Sequence, residues 1–458
     1  MRADAALYGI GALLTIVFAY QASAHGPGES LGILLAVGFF AAATYAFLVH
    51  PPLAVALTIP VFALLPAAKV LVNSRLGPTK DAIVLAAVLA AVVAGVTRKR
   101  AGTARVDRWL LTAALLLLFL YVVNVAGKHN IAWVHGVRLV AEPLLLLLVG
   151  LALPNPRKTL RWAVGSLIVT ACFVAGVGLL EQVVGQYRLA NIGFTFNQQI
   201  RTIQGHLRSF GTMDEPFAYA SFLSLGLAAV LFGRRRTFSS GVLGLLLLAG
   251  LTVSYVRTVV LIVFAFLALE LARRRRFVVA AALAGTLFVS AVILIAQSQG
   301  TESRTWANPN GSAALTLNGR TSAWRTALGS PSDWPFGRGV GEVGTAAERA
   351  GYTLTLAPGA QQKQSLAVDS GYFATVADVG FVGLLVLLAL LGRIAYLARG
   401  YALQGADEAW LALAVLAAML IDALTRSSFI GFPSAFLEML VLGIALSAAR
   451  ETAAAHHR

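Results

Sequence analysis

RSFGTMDEPFAYASFLSLGLAAVLFGRRR, residues 208–236, decides the fold. Its apolar run, 211–233, is long enough to cross a bilayer core, which takes about 20 such residues in a helix. Pro216 suits the first helical turn, and Asp214 and Glu215 stand at the positive end of the helix that follows. Arg234-Arg235-Arg236 close the far end, which the positive-inside rule makes cytoplasmic. That rule leaves Arg208, at the outward end, unexplained. An ionisable residue beside hydrocarbon costs roughly 2.5 to 3.5 kcal/mol on insertion scales, so it calls for a partner or a wet cavity.

The same pattern recurs along the whole chain. Of 458 residues, 58% are hydrophobic and 12% charged, with a mean hydropathy of +0.78. Soluble globular domains lie far from these values, so the chain is predicted to be an all-α polytopic membrane protein, a single transmembrane domain over 1–458. Fourteen apolar windows are of spanning length: 5–23, 31–49, 52–70, 81–97, 109–126, 133–153, 161–181, 213–232, 238–254, 257–272, 277–297, 371–398, 408–424 and 434–449. Pro60 and Pro66 interrupt the third, and the pair around Tyr255-Val256-Arg257 reads alternatively as one long broken helix, so the count is 12 to 14. Ala22-Ser23-Ala24 after the first window resembles a signal-peptide cleavage site, although retention as a first helix is the preferred reading. One cysteine, Cys172, excludes an internal disulfide and a Cys-based metal site.

Densely basic connectors fall on one side of this count: Arg98-Lys99-Arg100, Arg157-Lys158, Arg234 to Arg236 and Arg273 to Arg276. Both termini are then cytoplasmic and the polar segment 298–370 faces outward. Much of the net charge of +16 is thus a topology signal and no sign of nucleic-acid binding. The outer side nevertheless keeps many cations. Arg75, Lys80, Arg188 and Arg349, flanked by small or turn-forming residues, are expected to be solvated. Arg208 and Arg257 adjoin continuous apolar helix and must pair with something, Asp214 and Glu215 being the ordinary choice. Arg138 with Glu142, and Asp422 with Arg426, have the spacing of intrahelical ion pairs.

Three outward segments are distinctive. The first is Arg208 to Ala220, the second the polar patch Thr252 to Thr258 around Arg257. The third is the loop with Asn318-Gly319-Arg320, Trp324-Arg325 and the glycine-rich stretch 337–344, followed by Val368-Asp369-Ser370-Gly371-Tyr372 and a helix containing Gly380 and Gly383. With no preceding strand, the glycines form no nucleotide fingerprint and read as a tight turn over the membrane surface.

In this order and at these separations the segments resemble the bacterial O-antigen polymerase and O-antigen ligase superfamily, well over about residues 200–385 and only as a hydrophobic profile elsewhere. The resemblance implies a membrane-embedded, inverting glycosyltransferase that uses no metal or other cofactor. Such enzymes move a glycan from an undecaprenyl diphosphate carrier to a hydroxyl acceptor, outside the bacterial cytoplasmic (inner) membrane. Its partners would be the undecaprenyl diphosphate-linked glycan, a glycan or lipid acceptor and membrane lipids. Negative charge builds on the leaving diphosphate, and without a divalent cation fixed guanidinium donors must meet it.

By the same resemblance Arg208 and Arg257 hold the diphosphate, and Arg320 holds either phosphate or the loop. Arg325, Trp324 and Tyr372 serve the acceptor or the loop. Ligases of this family carry a histidine where this chain has Asp369, which leans toward polymerisation, with Asp369 as base, Glu215 and Asp214 as rivals, and an N-cap as the structural alternative for Asp369. The loop 298–370 would fold over the site. A flippase or exporter of lipid-linked oligosaccharide is the reading from another class, but no repeat between halves supports it.

Overall fold

The computed structural model describes residues 27–98, 107–196, 199–203, 205–233, 238–275, 328–350, 354–355, 363–364 and 368–456. Among them are thirteen α-helices. In chain order these are α1 Pro27–Val49, α2 Pro51–Leu71, α3 Thr79–Arg98, α4 Arg108–Val123, α5 Ile131–Ala152, α6 Pro156–Ile192 and α7 Pro216–Phe232. There follow α8 Phe238–Thr252, α9 Thr258–Arg273, the short α10 Gly344–Arg349, α11 Gly371–Leu403, α12 Glu408–Asp422 and α13 Ser434–His456. Two small hairpins, β1 Arg201–Ile203 with β2 His206–Arg208 and β3 Leu354–Thr355 with β4 Lys363–Gln364, and two 3-10 turns, Ser74–Leu76 and Pro331–Asp333, complete the elements. The expected all-α polytopic membrane protein is what the chain forms. Five described helices, α2, α3, α5, α6 and α11, are long and apolar enough to cross a membrane.

Twelve of the fourteen windows become helices, although α6 runs on to Ile192 past the window 161–181 and α13 to His456 past 434–449; Pro60 and Pro66 lie inside one helix, and the windows 5–23 and 277–297 lie outside the described residues. The doubtful pair resolves into α8 and α9. Tyr255, with φ of 51°, turns the chain between them in a conformation that L side chains seldom adopt.

The centre of the bundle is α13 with α7. Residues 434–449 of α13 are buried throughout, as are 15 residues of α7, because both helices are apolar on every side and carry small residues. A Cβ on Gly150 of α5 would come within 2.6 Å of the Leu440 carbonyl, so glycine there lets the α5 and α13 backbones touch. Farther out, Leu115, Phe119, Val169, Phe173, Leu385 and Leu388 point away from the protein and form an apolar surface suited to lipid.

Charged and polar contacts gather at two opposite sets of helix ends. At one end Arg273 meets Asp407 (2.8 Å), Arg393 meets Asp107 (2.6 Å) and Arg157 donates to Thr452 (3.0 Å). At the other end gather the segments read as outward. There α11 is broken at Gly380, whose φ is 73°. The break leaves backbone groups without helical partners, and the 334–338 segment supplies them. Arg338 N donates to Ala377 O (2.7 Å), while Phe381 N and Val382 N donate to Trp334 O (2.8 Å) and Pro335 O (3.3 Å). Val340 N donates to Asn124 Oδ1 (2.7 Å) in the α4–α5 turn. The glycine-rich stretch therefore does not lie over the surface as expected: it wedges between α11 and that turn, with Gly337, Gly339 and Gly341 at positive φ where side chains would strike backbone.

Candidate functional site

The β1–β2 hairpin delivers Arg208 to the head of α7. Its guanidinium Nε donates to Ser254 O (3.2 Å) and its plane lies 4.7 Å from the Phe217 ring centroid. Ser209 N donates to Val253 O (2.9 Å), so the Arg208 turn and the α8–α9 turn are joined backbone to backbone. Arg257 stands three residues beyond Ser254, exposed, at the first turn of α9, and forms no ion pair among the described residues. The two segments predicted to supply cations are therefore adjacent. His206 stacks on Tyr255 with ring centroids 6.1 Å apart, a second bridge between them.

Glu215 is next along the chain. It occupies the N-cap position of α7 without capping it. Its carboxylate instead binds Arg426 Nη2 (3.1 Å) and Arg201 Nη2 (4.0 Å). Arg426, 11% exposed, also faces Asp422 (3.7 Å), the intrahelical pair its spacing suggested, and donates to Ser434 Oγ (3.2 Å). A side chain at Gly431 would come within 2.7 Å of the Arg426 guanidinium, so glycine makes room for it.

Asp369 comes from the segment that leads into α11. The 368–371 segment is fastened to the chain following α12, with Ser427 Oγ donating to Val368 O (2.6 Å), Ser370 Oγ to Ala423 O (3.1 Å) and Gly371 N to the same carbonyl (2.9 Å). These bonds place Asp369 beside the segment that bears Arg426, exposed, with Ser370 rather than Asp369 at the N-cap of α11. Tyr372 turns the other way. Its hydroxyl donates to Leu420 O (2.9 Å) and its ring packs edge-on against Phe429. Arg320, Arg325 and Trp324 lie outside the described residues.

A second charged group adjoins the first. Arg138 binds Asp81 (2.9 Å) and, as its i, i+4 spacing predicted, Glu142 (2.9 Å). Lys80 corrects an expectation. Read as a solvated loop residue, it is buried, paired with both Asp81 and Glu142 and set 4.9 Å from the Phe436 ring centroid. The reason is tertiary: α3 begins against α5, so the first turn of one helix faces a carboxylate 62 residues away. Arg188 and Arg349 are exposed as expected. Asp214 lies within electrostatic reach of Lys69, Arg349 and Arg426, which ties the two groups together.

Sequence reasoning passed over Glu181, Asp378 and Arg201. Glu181 and Asp378 had one readable signal, since a carboxyl inside an apolar window is rarely idle. Glu181 accepts the amides of Phe210 and Gly211, and Asp378, just before the α11 break, faces Gly341 N and the Tyr121 hydroxyl.

The class is now defined: an integral, polytopic α-helical membrane protein whose helix ends gather arginines and carboxylates beside an intruding glycine-rich loop. Residues 241–388, about a third of the chain, match the family model for O-antigen ligase. That stretch holds the Arg257 turn, the intruding loop, Asp369 and the broken half of α11. The match supports the O-antigen polymerase and ligase superfamily, and that family implies an enzyme of the glycosyltransferase type acting on lipid-linked glycans. No curated protein matches the chain.

Proposed function

We propose that the chain is a polysaccharide polymerase of the bacterial inner membrane. It takes a glycan from undecaprenyl diphosphate and joins it to a sugar hydroxyl of a second lipid-linked glycan, on the extracytoplasmic side. The observation that carries this reading is the junction of the Arg208 and Arg257 turns, with the Glu215–Arg426 pair at the head of α7.

In the reaction the acceptor oxygen attacks the anomeric carbon from the face opposite the diphosphate. A bond forms between them, the bond from carbon to phosphate oxygen breaks, and its electron pair leaves on the diphosphate. Arg208 and Arg257 meet that charge, because planar guanidinium donors match phosphate oxygens and stabilise most what is most negative in the transition state. The acceptor hydroxyl proton passes to a carboxylate. We assign it to Asp369, which stands where ligases of the family carry a histidine, while Glu215 serves to hold Arg426 at the site. The loop 298–370 covers the acceptor, and Arg320, Arg325 and Trp324 act from it. Catalysis needs no metal on this reading, the guanidinium groups taking that part.

Incubating the purified protein with lipid-linked oligosaccharide alone tests the reading. A ladder of lengthened products supports polymerisation. Reaction only after a second lipid or protein acceptor is added makes the chain a ligase, and translocation without bond formation makes it a flippase.

A further inference from the structure

Behind the Arg208 turn lies a buried carboxyl group that the proposed chemistry does not use. Glu181, on α6, is 4% exposed, and its Oε2 accepts the amides of Phe210 (2.9 Å) and Gly211 (3.0 Å). These are the second and third residues after Arg208, in a turn that Gly211 makes at φ of 59°. The neighbouring Gln182 donates from Nε2 to Leu207 O (3.0 Å) and to Ser209 Oγ (2.6 Å), and Ser209 Oγ donates to Gly178 O (2.6 Å). Both residues flanking Arg208 are thereby fastened to α6. From this anchored turn Ser209 N and Arg208 Nε reach Val253 O and Ser254 O, the segment that leads into Arg257.

We propose that Glu181 is a positioning residue for the transfer: it fixes, from α6, where the Arg208 turn sits against the Arg257 turn. The inference rests on the reading that these two arginines hold the diphosphate. A carboxyl group suits the task because one oxygen can accept two adjacent amides in a place sheltered from water, where an amide without a partner is costly. With leucine at 181 the two amides lose their acceptor. The turn must then move to find another, taking Arg208 with it. A displacement of about 1 Å at a binding group is enough to cost on the order of 100-fold in rate.

The test uses the purified full chain, with undecaprenyl diphosphate as the binding probe and undecaprenyl diphosphate-linked oligosaccharide as the transfer substrate, and the variants E181L, E181Q, Q182A, R208A and the doubles E181L/R208A and Q182A/R208A. Binding and transfer are both measured. E181L is expected to weaken binding and slow transfer by about 100-fold. E181Q, which keeps an acceptor oxygen, recovers most of that loss, and E181L adds nothing further once Arg208 is gone. Should E181L fail to fold, Q182A stands in with a loss of about tenfold that likewise vanishes on R208A, as expected of residues acting through one partner. Equal losses in the wild-type and R208A backgrounds would mean general destabilisation and overturn the proposal, as would normal binding by both E181L and Q182A. Normal binding by R208A is a separate failure: the diphosphate reading itself falls, and this inference with it.

Discussion

Replacing Gly380 with alanine should detach the glycine-rich loop from the membrane domain. Its φ of 73° with ψ of −171° is a conformation essentially confined to glycine and costs an L residue about 1 to 3 kcal/mol. The added Cβ would overlap the Pro335 carbonyl and Phe336 amide, so loop and helix cannot keep their present contact. If the loop withdraws, the bonds from Arg338 N, Phe381 N and Val382 N across the break go with it, each worth about 1 kcal/mol net. Forfeiting these three bonds weakens docking by about 3 kcal/mol, a little over a hundredfold in the opening equilibrium. Cleavage by trypsin after Arg338 reads this directly, because Gly339 is buried and cutting follows the open fraction. The cleavage rate should rise by orders of magnitude in G380A. It should stay unchanged in G392A, where a Cβ meets nothing within 4 Å. Wild-type cleavage in G380A would refute the claim that the loop is held by the helix break.

Other expectations concern single groups. K80M leaves Glu142 buried with one cation fewer and should destabilise the protein by about 3 to 5 kcal/mol, with much of the loss recovered in K80M/E142L; thermal unfolding in detergent compares them. R426A should disorder the Glu215 carboxylate and lower transfer more than tenfold without preventing insertion, which a product ladder on quantified membranes will show. Asp107 accepts two bonds from Arg393, which hold its carboxyl below the ordinary 3.8. A depressed folded value gives stability that is complete above that range and lost as pH falls through it. The gap in midpoint between wild type and D107N should therefore be steady above about pH 5, shrink below pH 4 and correspond to about 1 kcal/mol or less. A chelator such as EDTA should leave transfer intact.

Much of the bundle could be read from the chain because lipid enforces a plain rule. A helix in hydrocarbon must be apolar over its whole length, so windows such as 133–153 and 434–449 announced α5 and α13. Pairs within one helix, Arg138 with Glu142 and Asp422 with Arg426, were equally open to spacing. What escaped depends on contacts between distant segments. Lys80 looked like a loop residue until α5 brought Glu142 against it. Glycines 337 to 341 looked like a surface turn because nothing local to them reports a broken helix some 40 residues later. At the site, Arg208 and Glu215 were visible from their place at a helix head. The guanidinium bound to Glu215 was Arg426, from the far end of the sequence, and the support beneath Arg208 was a carboxyl hidden in the apolar window of α6.

The central claim is that guanidinium groups, Arg257 foremost, neutralise the departing diphosphate. Its most direct test is transfer from undecaprenyl diphosphate-linked oligosaccharide by purified R257A, in parallel with wild type at equal amounts of inserted protein. Loss of one such donor should slow the reaction by about 100- to 1,000-fold, leaving product lengthening essentially undetected. Glycan chains of normal length, made at the wild-type rate by R257A, would contradict the account.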